Sequence, residues 1–159
     1  MKSKSSTVSF LYSDSESSAD MLYLSGVFVP DAFLAIIAQN KKYAVVNQLE
    51  YGRIIKKSNF DQVILLEAIR PVAAKSLNMS LKNVGPGELM IYFARHFAAK
   101  NIKIPAYFPA VHHAKIQDAG FSIEIIEGAF FSGRSIKTDT EIAAIRKGNA
   151  VSAAGIRAA

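Results

Sequence analysis

The chain has 159 residues, half of them hydrophobic and a fifth charged, with no cysteine and a formal net charge of +6. That length and balance fit one globular domain able to bury about two thirds of its unfolded surface, and they exclude a disordered or membrane-embedded polypeptide. Without cysteine there is no disulfide, zinc–thiolate site or thiol nucleophile, which favours a reducing compartment, so a cytoplasmic location is expected.

Met1 to Ser6 is basic, but no apolar core of signal-peptide length follows it, and no stretch approaches the roughly 18 apolar residues of a membrane span. The positive charge is dispersed in pairs, Lys41-Lys42, Lys56-Lys57 and Arg146-Lys147, as on a solvated surface. A nucleic-acid site calls for a basic face interleaved with aromatics, so neither nucleic acid nor membrane is expected as a partner. Arg134, Lys137, Arg146, Lys147 and Arg157 all fall in the terminal segment, where an acidic partner domain could neutralise some of them.

In chain order, Thr7 to Tyr12 reads as a first strand and the Ser/Asp/Glu-rich run from Ser13 to Asp20 as a loop. The segment Asp20 to Asp31 is also read as a loop: Gly26 permits a tight turn, Pro30 fixes the approach to the next strand, and Tyr23 offers an amphipathic ring suited to an interface. Phe33 to Ala38 and Tyr43 to Val46 form a hairpin across the polar turn Gln39-Asn40-Lys41-Lys42. Glu50 to Ser58 is a short helix with Tyr51, Ile54 and Ile55 inward. Asp61 to Leu66 is a continuous apolar strand of the kind buried on both faces. Pro71 to Leu77 is a helix begun by its proline.

Gly85-Pro86-Gly87-Glu88 opens a helix reaching Lys100, with Leu89, Phe93, His96 and Phe97 on one side and Asn101 as its stop. Ile104 to Phe108 is a strand, Ala110 to Asp118 a helix closed by Gly120, and Phe121 to Ile126 the last strand. The alternation after Asp61 favours right-handed crossovers, and with the early hairpin it predicts an α/β fold: a mixed sheet of about six strands flanked by helices on both faces.

The last 27 residues, 133–159, read as a linker and a helix with a start and no stop. Thr138 or Asp139 caps it, Glu141 sits in its first turn, and Ile142, Ile145, Asn149, Ser152 and Ile156 share one face. No terminal glycine and proline follow, so the expectation is an interrupted chain whose helix packs on a further domain. The domains are therefore drawn at 1–132 and 133–159.

No catalytic constellation is found, and no catalytic or metal-ligating residue is assigned. The three histidines lack a His-Glu-x-x-His pattern. His96 is expected on an apolar helix face as a core or boundary residue, and His112 and His113 at the surface. Gly85-Pro86-Gly87 lacks the lysine of a P-loop and the spacing of a dinucleotide fingerprint, and reads as an ordinary helix start. Ser132-Gly133 does not make a nucleophile elbow. Phe130 and Phe131 suit either internal packing or a domain interface.

Two segments carry a family resemblance. Arg134, Ile136, Lys137, Thr138, Glu141, Ile142, Ile145 and Arg146 resemble the Arg-x-Ile-Lys-Ser/Thr-x-x-Glu-Ile/Leu-x-x-Ile/Leu-Arg/Lys junction of creatinase, prolidase and Xaa-Pro aminopeptidase proteins. Upstream, Asp20-Met-Leu-Tyr-Leu-Ser-Gly-Val-Phe-Val-Pro-Asp31 is similar to the Asn/Asp-x-x-Tyr-Leu/Phe-Thr/Ser-Gly-Phe segment of their N-terminal domain, with Val27 standing between the glycine and Phe28. The resemblance spans residues 7 to 159 and implies a creatinase/prolidase N-terminal domain with a ribonuclease H-like motif.

It further implies that 133–159 leads into a missing C-terminal pita-bread catalytic domain, with Arg134, Lys137, Glu141, Ile142 and Ile145 at the inter-domain junction. The implied parent is a Xaa-Pro aminopeptidase or dipeptidase, a hydrolase with two divalent metal ions (Mn, Co or Zn) held by two Asp, one His and two Glu beyond Ala159. This chain would hold no cofactor and should be inactive alone. It would serve its own catalytic domain, homodimer contacts and the gating of small peptides, with Asp20, Tyr23 and Gly26 as gating candidates. A creatinase-like amidinohydrolase parent is an alternative, as is a free-standing α/β module binding a small ligand or nucleotide at the carboxyl ends of its strands.

Overall fold

The computed structural model describes residues 7–158, so the basic Met1–Ser6 segment and Ala159 lie outside the described residues. Six strands, β1 (Thr7–Ser13), β2 (Phe33–Ala38), β3 (Lys41–Val46), β4 (Gln62–Leu65), β5 (Asn101–Pro105) and β6 (Ser122–Ile126), form one sheet in the order β4-β3-β2-β1-β5-β6. β2 pairs antiparallel with β1 and β3, and the other pairs are parallel, so β2 alone runs against the rest. This is the mixed α/β sheet predicted from the sequence. Its strands β3-β2-β1-β5-β6 make the ribonuclease H-like motif, with β4 added at one edge.

The β2–β3 hairpin closes through Gln39 and Asn40, both at positive φ (53° and 62°). Two left-handed residues in succession give the tight turn whose twist matches paired strands. β1 lies inside the sheet, and its alternation sends Phe10 to one face and Leu11 to the other, both fully buried. Each such side chain contributes about 1.5–3 kcal/mol of apolar burial.

Helices α3 (Leu66–Ser76), α4 (Pro86–His96) and α5 (Ala110–Asp118) cover the Phe10 face through Ala73, Ala74, Leu89, Met90, Phe93 and Ile116. Helices α1 (Ala19–Ser25) and α2 (Gln48–Lys57) cover the Leu11 face through Met21, Leu24 and Ile54. Asn47 caps α2 by accepting from the Glu50 N–H at 3.1 Å, and Lys56 and Lys57 complement the dipole at its other end. A last helix, α6 (Asp139–Ala158), has no buried residue.

Several expected boundaries are corrected. Asp20–Asp31 is not all loop: α1 takes its first half, with Ser18 accepting from Met21 N–H at 3.2 Å and Gly26 closing it at φ 68°. Ile55 is exposed, because the stripe of α2 that meets the sheet centres on Ile54. β4 packs Ile64 on one face and Val63 on the other but is an edge strand, only half-buried. Pro71 lies inside α3 rather than at its start, leaving the Glu67 carbonyl without its helical donor.

α4 stops at His96 because Ala98 turns left-handed at φ 50°, so Asn101 opens β5 instead of ending a helix. β5 correspondingly ends at Pro105, and Phe108 reaches the core from a turn. His96 is exposed rather than on a core face, its ring stacked on Tyr92 at 6.0 Å. His112 is half-buried rather than a surface group: its Nδ1 is buried with no hydrogen-bond partner among the described residues, and its ring meets Tyr12 edge-on at 5.0 Å. α5 and the β2 strand stand where the sequence placed them.

Candidate functional site: the Asp20 latch

The polar groups with the densest buried connections lie where β1 hands over to α1 and where the chain leaves β6. Asp20, in the first turn of α1, is 2% exposed. A buried carboxylate is stable only if its oxygens are bonded and its charge compensated. Here Arg134 Nε donates to Oδ1 at 2.7 Å, the Phe131 N–H donates to Oδ1 at 3.3 Å, and the Phe130 N–H donates to Oδ2 at 3.3 Å. Tyr107 adds its hydroxyl to Oδ2 at 3.5 Å while accepting from Ser18 Oγ at 2.8 Å. Burial pushes the Tyr107 phenol up, and the neighbouring Asp20 charge adds to the rise against the Ser18 hydrogen bond.

The exit segment is therefore tied down by one anion. Phe130 and Phe131 pack against the Leu11-side core, and Tyr23 lies on Phe131 with ring centroids 5.6 Å apart. The phenylalanine pair thus packs inward on one side and stays half-buried. Gly133 is pressed against Tyr23, whose hydroxyl stands 3.0 Å from where a Cβ would be. A 3₁₀ turn at Ser132–Ser135 then redirects the chain, and Lys137 Nζ donates to the Arg134 carbonyl.

α6 starts with a reciprocal cap. The Glu141 N–H donates to Thr138 Oγ1 at 3.3 Å, and the Thr138 N–H and hydroxyl donate to Glu141 Oε2 at 2.8 and 2.9 Å. These bonds from Thr138 hold the Glu141 carboxyl below its usual value. Thr138, rather than Asp139, is the capping residue. A cleft of about 480 Å³ opens between α1 and the junction, lined by Tyr23, Gly26, Asn59, Arg134, Lys137 and Glu141. The structure thus brings the candidates Tyr23, Gly26, Arg134, Lys137 and Glu141 to one cleft, with Asp20 buried behind it. Ile142 is half-buried and Ile145 exposed along α6.

Sequence reasoning missed Tyr107 and Ser18. Ser18 carried a signal as a helix cap preceding Asp20 and Gly26; nothing local marked Tyr107. Elsewhere, the Gly85 N–H donates to Glu88 Oε2 at 3.0 Å, so Gly85-Pro86-Gly87 is an ordinary helix start. Among the described residues no group of three His, Asp or Glu is placed to hold a metal.

No family model matches the sequence, and no curated protein matches it. The three-dimensional arrangement does match solved structures. Prolidase from Pyrococcus horikoshii OT3 superposes with a TM-score of 0.60 and 18% identity over 90% of this chain. X-Pro aminopeptidase from Thermotoga maritima MSB8 gives 0.61 and 13% over 86%, and Xaa-Pro dipeptidase from Bacillus anthracis gives 0.57 and 12% over 87%. The chain carries the fold of the creatinase/prolidase N-terminal domain. It spans 35% of the length of the first two of these proteins and 33% of the third. At these identities the likeness is one of fold. Within this prolidase-like fold, the two sequence segments that carry the family resemblance meet at the Asp20–Arg134 pair.

Proposed function

We propose that the chain is the N-terminal, non-catalytic domain of a Xaa-Pro aminopeptidase or dipeptidase, and that it positions the catalytic domain, contributes to a homodimer and limits access to small peptides. The observation that carries this reading is the latch: a buried carboxylate, two backbone N–H groups and a guanidinium fix the direction in which the chain leaves the sheet. So many buried bonds on an exit segment fit a domain that holds something in place beyond it. α6 supports the reading, since Ile145, Val151 and Ile156 remain exposed along a well-capped helix.

In this reading the chemistry belongs to the parent's pair of divalent ions (Mn, Co or Zn), which would activate water against the bond preceding proline. Arg134, Lys137, Glu141, Ile142 and Ile145 form the inter-domain junction. Tyr23 and the Gly26 turn present the gating surface, and Asp20 acts on it from behind by holding α1 to the junction. The protein would work in the cytoplasm.

The test is to read the coding sequence past Ala159 and to assay the encoded polypeptide on Xaa-Pro dipeptides with Mn, Co or Zn. A continuing frame with two Asp, one His and two Glu, hydrolysis by the full polypeptide and none by residues 1–159 are expected. A stop codon at that point overturns the reading, and turnover of creatine instead of dipeptides moves the parent to the amidinohydrolases. Light scattering that finds only monomer of the full polypeptide removes the dimer.

A further inference from the structure

β1 and β5 lie side by side and parallel, yet the chain leaves them toward opposite faces of the sheet. From β1 it enters α1, whose Met21 and Leu24 pack on the Leu11 side. From β5 it enters α5, whose Ile116 packs on the Phe10 side. Neither connection covers the gap between the two carboxyl ends, and such a switch in direction is where open α/β sheets take ligands. A cleft of about 470 Å³ lies there, lined by Ser13, Ser17, Ser18, Tyr107 and Arg134. That volume is within the ordinary range of small-molecule sites.

Ser18 donates to Tyr107, Tyr107 to Asp20 and Ser17 to Asp14, so the donors left to the cleft are those of Arg134 and Ser13. Asp20 also borders the cleft, but its oxygens are already taken by Arg134 Nε, Tyr107 and two backbone N–H groups. Arg134 binds Asp20 only through Nε, so its two terminal nitrogens have no partner among the described residues. Ser13 and Ser17 hydroxyls lie 3.4 Å apart, and since Ser17 gives its one proton to Asp14, Ser13 is the donor of the pair. The planar end of a guanidinium offers two parallel N–H groups, which match a carboxylate. Asp14 lies beside the rim, accepting from the Ser17 N–H and hydroxyl at 2.6 and 2.8 Å. Its charge disfavours a dianion such as phosphate and leaves a single negative charge as the better fit.

We propose that this switch-point cleft binds the carboxylate of a small organic acid, Arg134 gripping it through both terminal nitrogens and the Ser13 hydroxyl turning from Ser17 to close on it. The inference rests on the topology and on Arg134 and does not depend on the peptidase reading.

The experiment is an amide and arginine-Nε NMR titration of the 159-residue chain with sodium acetate, at ionic strength held constant with sodium chloride. Saturating shifts confined to Ser13–Ser18, Tyr107 and the Arg134 Nε–H are expected, in the millimolar range. Replacing both Ser13→Ala and Ser17→Ala is expected to weaken binding at least about threefold with the remaining spectrum unchanged. Arg134→Lys, which keeps the charge and removes the fork, is expected to abolish saturation. Shifts that rise linearly, that sodium chloride reproduces, or that centre on Lys56, Lys57, Arg146 and Lys147 overturn the proposal, as does unchanged affinity in the folded double-serine variant. Tighter binding of inorganic phosphate than of acetate overturns the assignment to a carboxylate.

Discussion

Arg134 Nε donates to Asp20 Oδ1 at 2.7 Å across 114 positions of sequence, joining the start of α1 to the segment that leaves the sheet. Asp20 is buried and Arg134 only partly so, an asymmetry that decides how each will respond to substitution. Removing the carboxylate strands two backbone donors near the core, whereas removing the guanidinium leaves an anion still held by two N–H groups and a phenol.

Asp20→Ala is therefore expected to lower stability by about 2–4 kcal/mol, and Arg134→Ala by less. Urea denaturation followed by circular dichroism measures both. A neutral Asp20→Ala would show that the latch does not bear on folding, and equal losses would show that the Arg134 charge matters as much as the Asp20 carboxylate.

Gly26 closes α1 at φ 68°, and a Cβ there would stand 2.4 Å from Asn59 Nδ2. Gly26→Ala is expected to cost about 1–2 kcal/mol from the left-handed backbone alone, with the Asn59 clash added. Pairing it with Asn59→Ala separates the two terms: thermal melts of the double variant should recover only the clash.

His112 is wedged against Tyr12 and Phe108, with Lys115 and Glu88 nearby. Burial, and then the positive charge of Lys115, push the imidazole below its ordinary value of 6.5, against an opposing pull from Glu88. A base whose folded pKa is depressed takes up its proton more readily in the unfolded chain. Its stabilising contribution is complete above 6.5 and is lost as pH falls from there through the lower folded value. Urea midpoints should accordingly decline below pH 6.5, and His112→Phe should remove that part of the decline. An unchanged slope in the variant would place the acid sensitivity elsewhere.

A second acid-sensitive element lies beside it. Burial pushes the Glu88 carboxyl up, but the Lys115 hydrogen bond at 2.6 Å and the backbone donors of Glu88 and Gly85 outweigh that and hold it below 4.5. Its contribution is present above 4.5 and lost as pH falls through the folded value. Glu88→Gln should flatten the stability curve in that lower window and, by removing the upward pull of Glu88 on His112, extend the His112 loss to lower pH.

α6 contributes no buried residue to the described structure. Ending the chain after Ala143 should change the melting temperature by no more than about 2 °C while lowering the helical circular dichroism signal. A larger fall in melting temperature would mean that α6 packs on the sheet domain in solution.

Local signals made much of this fold legible. Alternating and continuous apolar runs placed β2 and β3, Gly120 marked the end of α5, and Thr138 with Glu141 announced α6. Where local signals compete, the sequence misled: Pro71 looked like a helix start, yet Leu66 and Ile69 pack on the Phe10-side core and begin α3 a turn earlier. At the site, Asp20 and Arg134 could each be singled out, but nothing along the chain said that they touch.

Composition, periodicity and capping chemistry act between near neighbours, and they determined that the chain alternates strand and helix around an apolar core. The order of the strands was decided in three dimensions: β4 is carried to one edge and β5 to the far side of β1, because only pairing and face burial choose neighbours. Desolvation is likewise a tertiary quantity. It turned Asp20 from a loop acid into a buried counter-ion, and His112 from a surface imidazole into a half-buried one, since a side chain's cost and partners exist only after distant segments have closed over it.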